Sequence, residues 1–273
     1  MWEKIKNLDK RIIYLCVALS VIIPMLNPIG LPIVITEETR RAFQAVDNLP
    51  PGSRVLFSAD YDPGSEAELF PMNIAILRHC FQKKLRVVMT GLWPQGPAEM
   101  NKAFGEIKKD YPTLTYGTDY VNVGYKAGGL VVVNSIGSDF TIAFPKDQAG
   151  TDIRELPILQ DVKNYSSFGL VISLSAGSSG GVVWVAYGGT KYHVDVITGC
   201  TAVSATEFYP YYSSGQFKGL INGLAGAAEY EKMVGAPGKG IRGMDAQSMS
   251  HLVIIGFIIL GNVIYLTEKY GKK

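Results

Sequence analysis

The chain predicts an α/β fold built on a doubly wound, mostly parallel sheet. Three observations carry that reading. Short apolar runs of strand length recur between longer segments with helical spacing; the first such pair, Arg54 to Trp93, reads strand, acidic loop, helix, strand; and a βαβ unit of this kind needs its two strands parallel. Strands are expected at 55–59, 86–90, 170–174 and 193–198, and helices at 66–83, 98–109, 179–187 and 215–233. Residues 116–144 stay open, because the apolar run 130–133 suits a buried strand or part of a helix equally well. The alternation corresponds to a Rossmann-like architecture.

Two apolar segments flank this pattern and predict a transmembrane helix at each end. Residues 12–36 contain no charge between Arg11 and Glu37, and 25 residues at about 1.5 Å each exceed the roughly 30 Å hydrocarbon core. The segment is long and has no Ala-x-Ala pattern, which favours an uncleaved anchor over a signal peptide. Pro24, Pro28 and Pro32 predict that its helix bends or stops near residues 27–30. Residues 246–267 form the second uncharged stretch, between Asp245 and Glu268. The expected division is therefore 1–36 for a cytoplasmic N-terminus and first span, 37–245 for the α/β domain, and 246–273 for the second span and a basic tail. Lys4, Lys6, Lys10 and Arg11 before the first span, with Lys269, Lys272 and Lys273 after the second, favour both termini in the cytoplasm and the domain outside it.

Composition narrows the function classes. The 273 residues include 26 basic and 24 acidic side chains, and no basic run is interleaved with aromatics, so nucleic acid is not an expected partner. Three cysteines are too few for a disulfide framework, and Cys80 and Cys200 read as small core residues. His79, His193 and His251 have no spacing that assembles a triad or a zinc set.

In an open parallel sheet ligands lie beyond the carboxyl ends of the strands, which directs attention to two loops. The first holds Asp60, Asp62, Glu66 and Glu68, whose oxygens suit a hard divalent cation such as magnesium or calcium. Asp60-Tyr61-Asp62 after a strand resembles the Asp-x-Asp of haloacid-dehalogenase phosphatases and of nucleotide-sugar glycosyltransferases, which implies metal-assisted chemistry. Pro63 and Gly64 depart from the phosphatase pattern, and no matching downstream Lys and paired-Asp motif follows. The structural alternative is turn chemistry at Asp62-Pro63-Gly64 and a capping box from Ser65 to Glu68, unless Pro71 marks the helix start. The second loop, Ser175, Gly177, Ser178, Ser179 and Gly180, could cradle a phosphate or carboxylate of a cofactor on its backbone amides, or could be a close strand-to-helix turn that needs glycine.

Gly215, Gly219, Gly223 and Ala227 recur every four residues and would form a small-residue face on the helix expected at 215–233, suited to core packing or to contact between subunits. Tyr209, Tyr211 and Tyr212 concentrate just before it in what reads as a loop with recognition character. Together these features favour a structural or interaction subunit of a membrane assembly, with membrane lipid and either further copies of itself or other subunits as partners. The alternative is a membrane-anchored enzyme or ligand-binding domain that uses the acidic and Ser/Gly loops.

Overall fold

The computed structural model describes residues 9–270. Two compact units emerge, one from the residues up to Pro32 together with those from Ile241, the other from Ile33–Gly240.

In the first unit, helix α1 (Lys10–Leu26) contains Pro24 and is capped at Asn27, whose amide still bonds Ile23 O. From Pro28 to Thr36 the chain has no regular secondary structure, as three prolines in nine residues favour, and it turns at Gly30, whose φ is +73°. At 17 residues, α1 covers about 25 Å, short of a bilayer core of about 30 Å. One helix among the described residues is long and apolar enough to cross a membrane, within Lys239–Thr267. The expectation of two such helices is met only at the C-terminal end, because the first helix stops ten residues before Thr36. Within this unit the carboxylate of Asp245 accepts the amides of Ile29 and Gly30 at 2.9 Å each and of Leu31 at 3.0 Å. The Asn262 amide bonds its own helix at Ile258 O, which satisfies a polar group without a partner helix.

The second unit opens with α2 (Glu37–Asp47) and continues β1 (Arg54–Asp60), α3 (Glu66–Gln82), β2 (Arg86–Gly91), α4 (Gly96–Asp110) and β3 (Tyr120–Tyr125). After β3 come α5 (Leu130–Ser138) and the short α6 (Phe140–Ala143), then β4 (Leu170–Ser175). A helical run over 181–192, here α7, has a π-helical centre at Trp184–Gly189. It is followed by β5 (Val196–Cys200), α8 (Ala205–Ser213), β6 (Phe217–Asn222) and α9 (Gly223–Val234), and the chain leaves through α10 (Lys239–Tyr270). The six strands stand in the order β3-β2-β1-β4-β5-β6, every neighbour parallel. Helices α2, α3, α4 and α9 cover one face with a core that includes Phe57, Met72, Ile76 and Tyr230. Helices α5 to α8 cover the other around Phe140, Trp184 and Phe208. The strand order reverses between β1 and β4, the position where such folds open a crevice.

Two sequence expectations fail here for one reason each. The segment expected as one helix over 215–233 is a strand followed by a helix, so Gly215, Gly219, Gly223 and Ala227 share no helical face. Gly219 lies on β6 against α2, where an added Cβ would sit 2.2 Å from Ala42 N. The expected tyrosine loop is helix α8, and its tyrosines fasten α8 to α2: Tyr209 Oη donates to Glu38 at 3.0 Å and Arg41 lies over the Tyr212 ring. Cys80 and Cys200 are buried and unbridged, and His79 is a core residue whose Nδ1 lies 2.9 Å from Tyr230 Oη.

Gly219→Ala therefore overpacks the α2 contact and is expected to lower stability by about 1–3 kcal/mol without changing particle mass. Urea unfolding in mild detergent measures the first quantity and light scattering the second.

Candidate functional site

The carboxyl end of β1 is where sequence and topology both place a site. Strand alternation turns Leu56, Ser58 and Asp60 toward the α7 face. The register pairs Thr90 with Ser58, Ser58 with Ser173 and Ser173 with Thr198, so four adjacent strands present a transverse row of hydroxyl residues. One step further along, Asp60 pairs with Ser175 and Ser175 with Cys200.

Asp60 is fully buried and is the acceptor on which this layer converges. Its Oδ1 takes Ser58 Oγ–H at 2.6 Å and the Leu92 amide at 2.7 Å; its Oδ2 takes Ser173 Oγ–H at 2.8 Å and Trp184 Nε1–H at 3.0 Å. Burial pushes the Asp60 carboxyl up, opposed by these donors, which favour the anion. The donors come from β1, the β2–α4 turn, β4 and α7, so one carboxylate joins four separate pieces of chain. Trp184, the first residue of the π-helical turn, is fully buried, with its indole N–H on Asp60.

The four acidic residues expected to share a cation are used separately. Asp60 is enclosed as described. Asp62 caps the following turn by accepting the Gly64 amide at 3.0 Å. Glu66 pairs with Lys102 Nζ at 2.5 Å, and Glu68 accepts the Ala202 amide at 2.8 Å. Among the described residues no three His, Cys, Asp or Glu side chains gather as a metal-holding group. The Asp-x-Asp resemblance thus stops at the sequence, since one of its two carboxylates faces inward and the other caps a turn. The expected capping box also does not form: Ser65 makes no side-chain cap, and Glu68 reaches across to the β5–α8 turn instead. Pro71 lies inside α3.

The Ser/Gly loop is a close turn. Ser175 Oγ donates to Gly177 O at 2.5 Å, the Ala176 amide bonds Asp60 O, and Gly180 N bonds Gly177 O. At Gly180 a Cβ would stand 2.2 Å from Ser175 Oγ and 2.5 Å from Asp60 Cβ, so the loop closes over Asp60 only with glycine there. Ser178 and Ser179 are exposed, and Ser179 Oγ accepts Trp93 Nε1–H at 3.0 Å, bridging the turns after β2 and β4.

Sequence reasoning missed Ser58, Ser173, Trp184 and Glu99. Ser58 and Asp60, like Ser173 and Ser175, are spaced by two on apolar strands, a polar stripe that a face-by-face reading would have detected. Glu99, in the first turn of α4, is 5% exposed, and its Oε2 is buried without a hydrogen-bond donor. Beside it lies Glu66. At the opposite, amino end of the sheet two shallow clefts of about 410 and 320 Å³ meet at His193, Val194 and Asp195. There Lys218 and Asp195 form an ion pair at 3.5 Å.

Asp60→Ala is expected to destabilise the fold by about 3–5 kcal/mol, because it strands four buried donors. Asp62→Asn, which keeps an acceptor at an exposed turn, should stay within about 0.5 kcal/mol of the wild type. Chemical denaturation of both variants compares the two carboxylates directly.

No family model matches the chain, and no curated protein matches it. Among solved structures, a trehalose-6-phosphate synthase, OtsA, is similar over 88% of this chain and 47% of its own, with 9% identity and a TM-score of 0.31. The chain spans less than half the length of that enzyme, and a likeness this distant assigns it no activity.

Proposed function

We propose that this chain is a membrane-anchored α/β domain acting as a structural or interaction subunit of a membrane assembly. The observation that carries the reading is how α9 holds the segments that enter and leave the domain. Glu229 accepts both the Thr36 amide at 2.9 Å and the Thr36 hydroxyl at 2.6 Å. Lys232 Nζ donates to Ile33 O at 2.8 Å. Glu231 accepts the amides of Gly238 and Gly240 at 2.9 Å each, at the start of α10. Charge-assisted bonds of this kind are worth about 1.5–3 kcal/mol each. All of these bonds lie within 33–240, so the domain itself holds both of the segments by which it is tethered.

Within the same proposal, α1 and α10 form a two-pass hairpin with both termini cytoplasmic and the domain outside. Two features support it: the Asp245 bonds to residues 29–31, which bring the end of α1 to the beginning of α10's apolar stretch, and the basic residues at both termini. The 17 residues of α1 would be completed across the bilayer by the proline-containing segment after it, whose first amides Asp245 satisfies. Asp60 and its cover, tied internally, are the scaffold of the domain in this reading.

The native mass of the chain purified in mild detergent tests the proposal. The expected result is an assembly larger than the monomer, formed with further copies or with co-purifying subunits. A monomer with no companion protein would overturn it and return weight to the ligand-binding alternative. Protease added to intact cells should cut within 33–240. Replacing Glu229 and Glu231 together by Ala should leave the sheet core folded while making residues 33–36 and 235–240 the first sites of limited proteolysis.

A further inference from the structure

The acid pair at the heads of α3 and α4 lies outside the ties just described. Glu99 stands in the first turn of α4, buried, with Oε2 facing no donor. Lys102, one turn on from Glu99, bonds Glu66 Oε2 through its Nζ and so brings Glu66, in the first turn of α3, beside the first turn of α4. The charged and titratable groups facing Glu99 are known from each neighbouring element. Glu66 comes from α3, Lys102 from the next turn of α4 and Asp62 from the turn after β1, and Tyr61, whose buried hydroxyl accepts Asn73 Nδ2–H, lies close by. Lys102 gives its ammonium to Glu66 Oε2, so this cation is committed to the other carboxylate, while Lys239 lies over the Phe70 ring.

Two neighbouring carboxylates, one of them desolvated, do not both remain ionised. A proton on the Glu99 carboxyl relieves this, and the neighbouring acceptor is the carboxylate of Glu66. We infer that Glu66 and Glu99 form a one-proton site, in which Glu99 carries the proton and donates it to a Glu66 carboxylate held by Lys102. The pair clamps the first turns of α3 and α4 together at the carboxyl edge of the sheet. Losing the proton sets two negative charges against each other, with Asp62 nearby, and pushes those helix ends apart. Burial, followed by the Glu66 charge, pushes the Glu99 carboxyl up, in agreement with the geometry.

The sign of the pH dependence follows from linkage. The folded chain holds a proton that the unfolded chain releases near the ordinary glutamate value of about 4.3, so this contribution to stability is complete below that value. It is lost as pH rises toward and through the raised value of Glu99.

The test uses the full chain in mild detergent and Glu99→Gln, which keeps a donor facing Glu66 at every pH. On raising the pH from about 4, the wild type should lose several degrees of Tm relative to Glu99→Gln. Infrared spectra of the wild type at about pH 6 should show a protonated-carboxyl C=O stretch that the variant lacks. If Glu99→Gln does not fold, Glu66→Gln serves instead: burial and Asp62 still act on Glu99 but the Glu66 charge is gone, so the band should disappear at a lower pH than in the wild type. Melting curves with parallel pH dependence, or spectra without a Glu99-dependent carboxyl band, overturn the inference. So does stoichiometric Mn2+ binding that Glu99→Gln abolishes, which would place a cation between the carboxylates in the proton's stead.

Discussion

Burying one carboxylate beneath the point where the strand order reverses constrains everything built around it. A desolvated Asp60 is tolerable only if both oxygens are supplied with donors. The supply fixes a hydroxyl two residues back on β1, another on β4, the backbone after β2 and an indole from α7. Those requirements propagate. Trp184 can reach Asp60 only if the chain after β4 turns tightly over it, and that turn admits no side chain at Gly180. The Ser/Gly loop, which in isolation suggests an anion cradle, is explained by what lies under it.

The same chemistry recurs at the borders of the domain. Asp62, Glu68, Glu229, Glu231 and, in the other unit, Asp245 all accept backbone amides. Each finds those amides at a turn or a segment end, where they lack partners from regular secondary structure. Acidic residues that a sequence reader groups as a prospective metal site are in this chain distributed one to a joint. Glu66 and Glu99 are the exception, being the pair that shares a neighbour instead of dividing the work.

How much of this could be read from the sequence depended on whether the deciding contact was local. β1, β2, β4 and the helices α3 and α4 were legible because each is an apolar run or helical period bounded by turn chemistry. The stop of α1 was legible because proline acts on its own backbone. β6 was not: Lys218 and Gly219 interrupt its apolar pattern, and Gly219 is there because Ala42, 177 residues earlier, needs the space. β3 was missed because it lies in the stretch where period could not decide. Asp60 and Asp62 look alike in the sequence, two residues apart; one is the last residue of a buried strand and the other the cap of a turn, a distinction set by where the strand ends. Glu99 gave no signal at all, since its partner Glu66 belongs to another helix.

The edges of the sheet bear on the kind of partner the proposed assembly would involve. An exposed edge strand is a template for strand addition, and this sheet has two edge strands, β3 and β6. Beside β3 the segment that follows α6 lies close, with Gln148 N bonded to Asn122 O and Gln148 Oε1 to Asn101 Nδ2. At β6, α2 packs so tightly that Gly219 is needed, and α8 is locked to α2 through Tyr209 and Glu38 and through Arg41 on Tyr212. The tyrosines that suggest a recognition loop are thus partly engaged in closing an edge. Beside β3 the chain itself therefore supplies a backbone bond to Asn122, and around β6 the helices of the two faces meet through Glu38, Arg41 and their tyrosines.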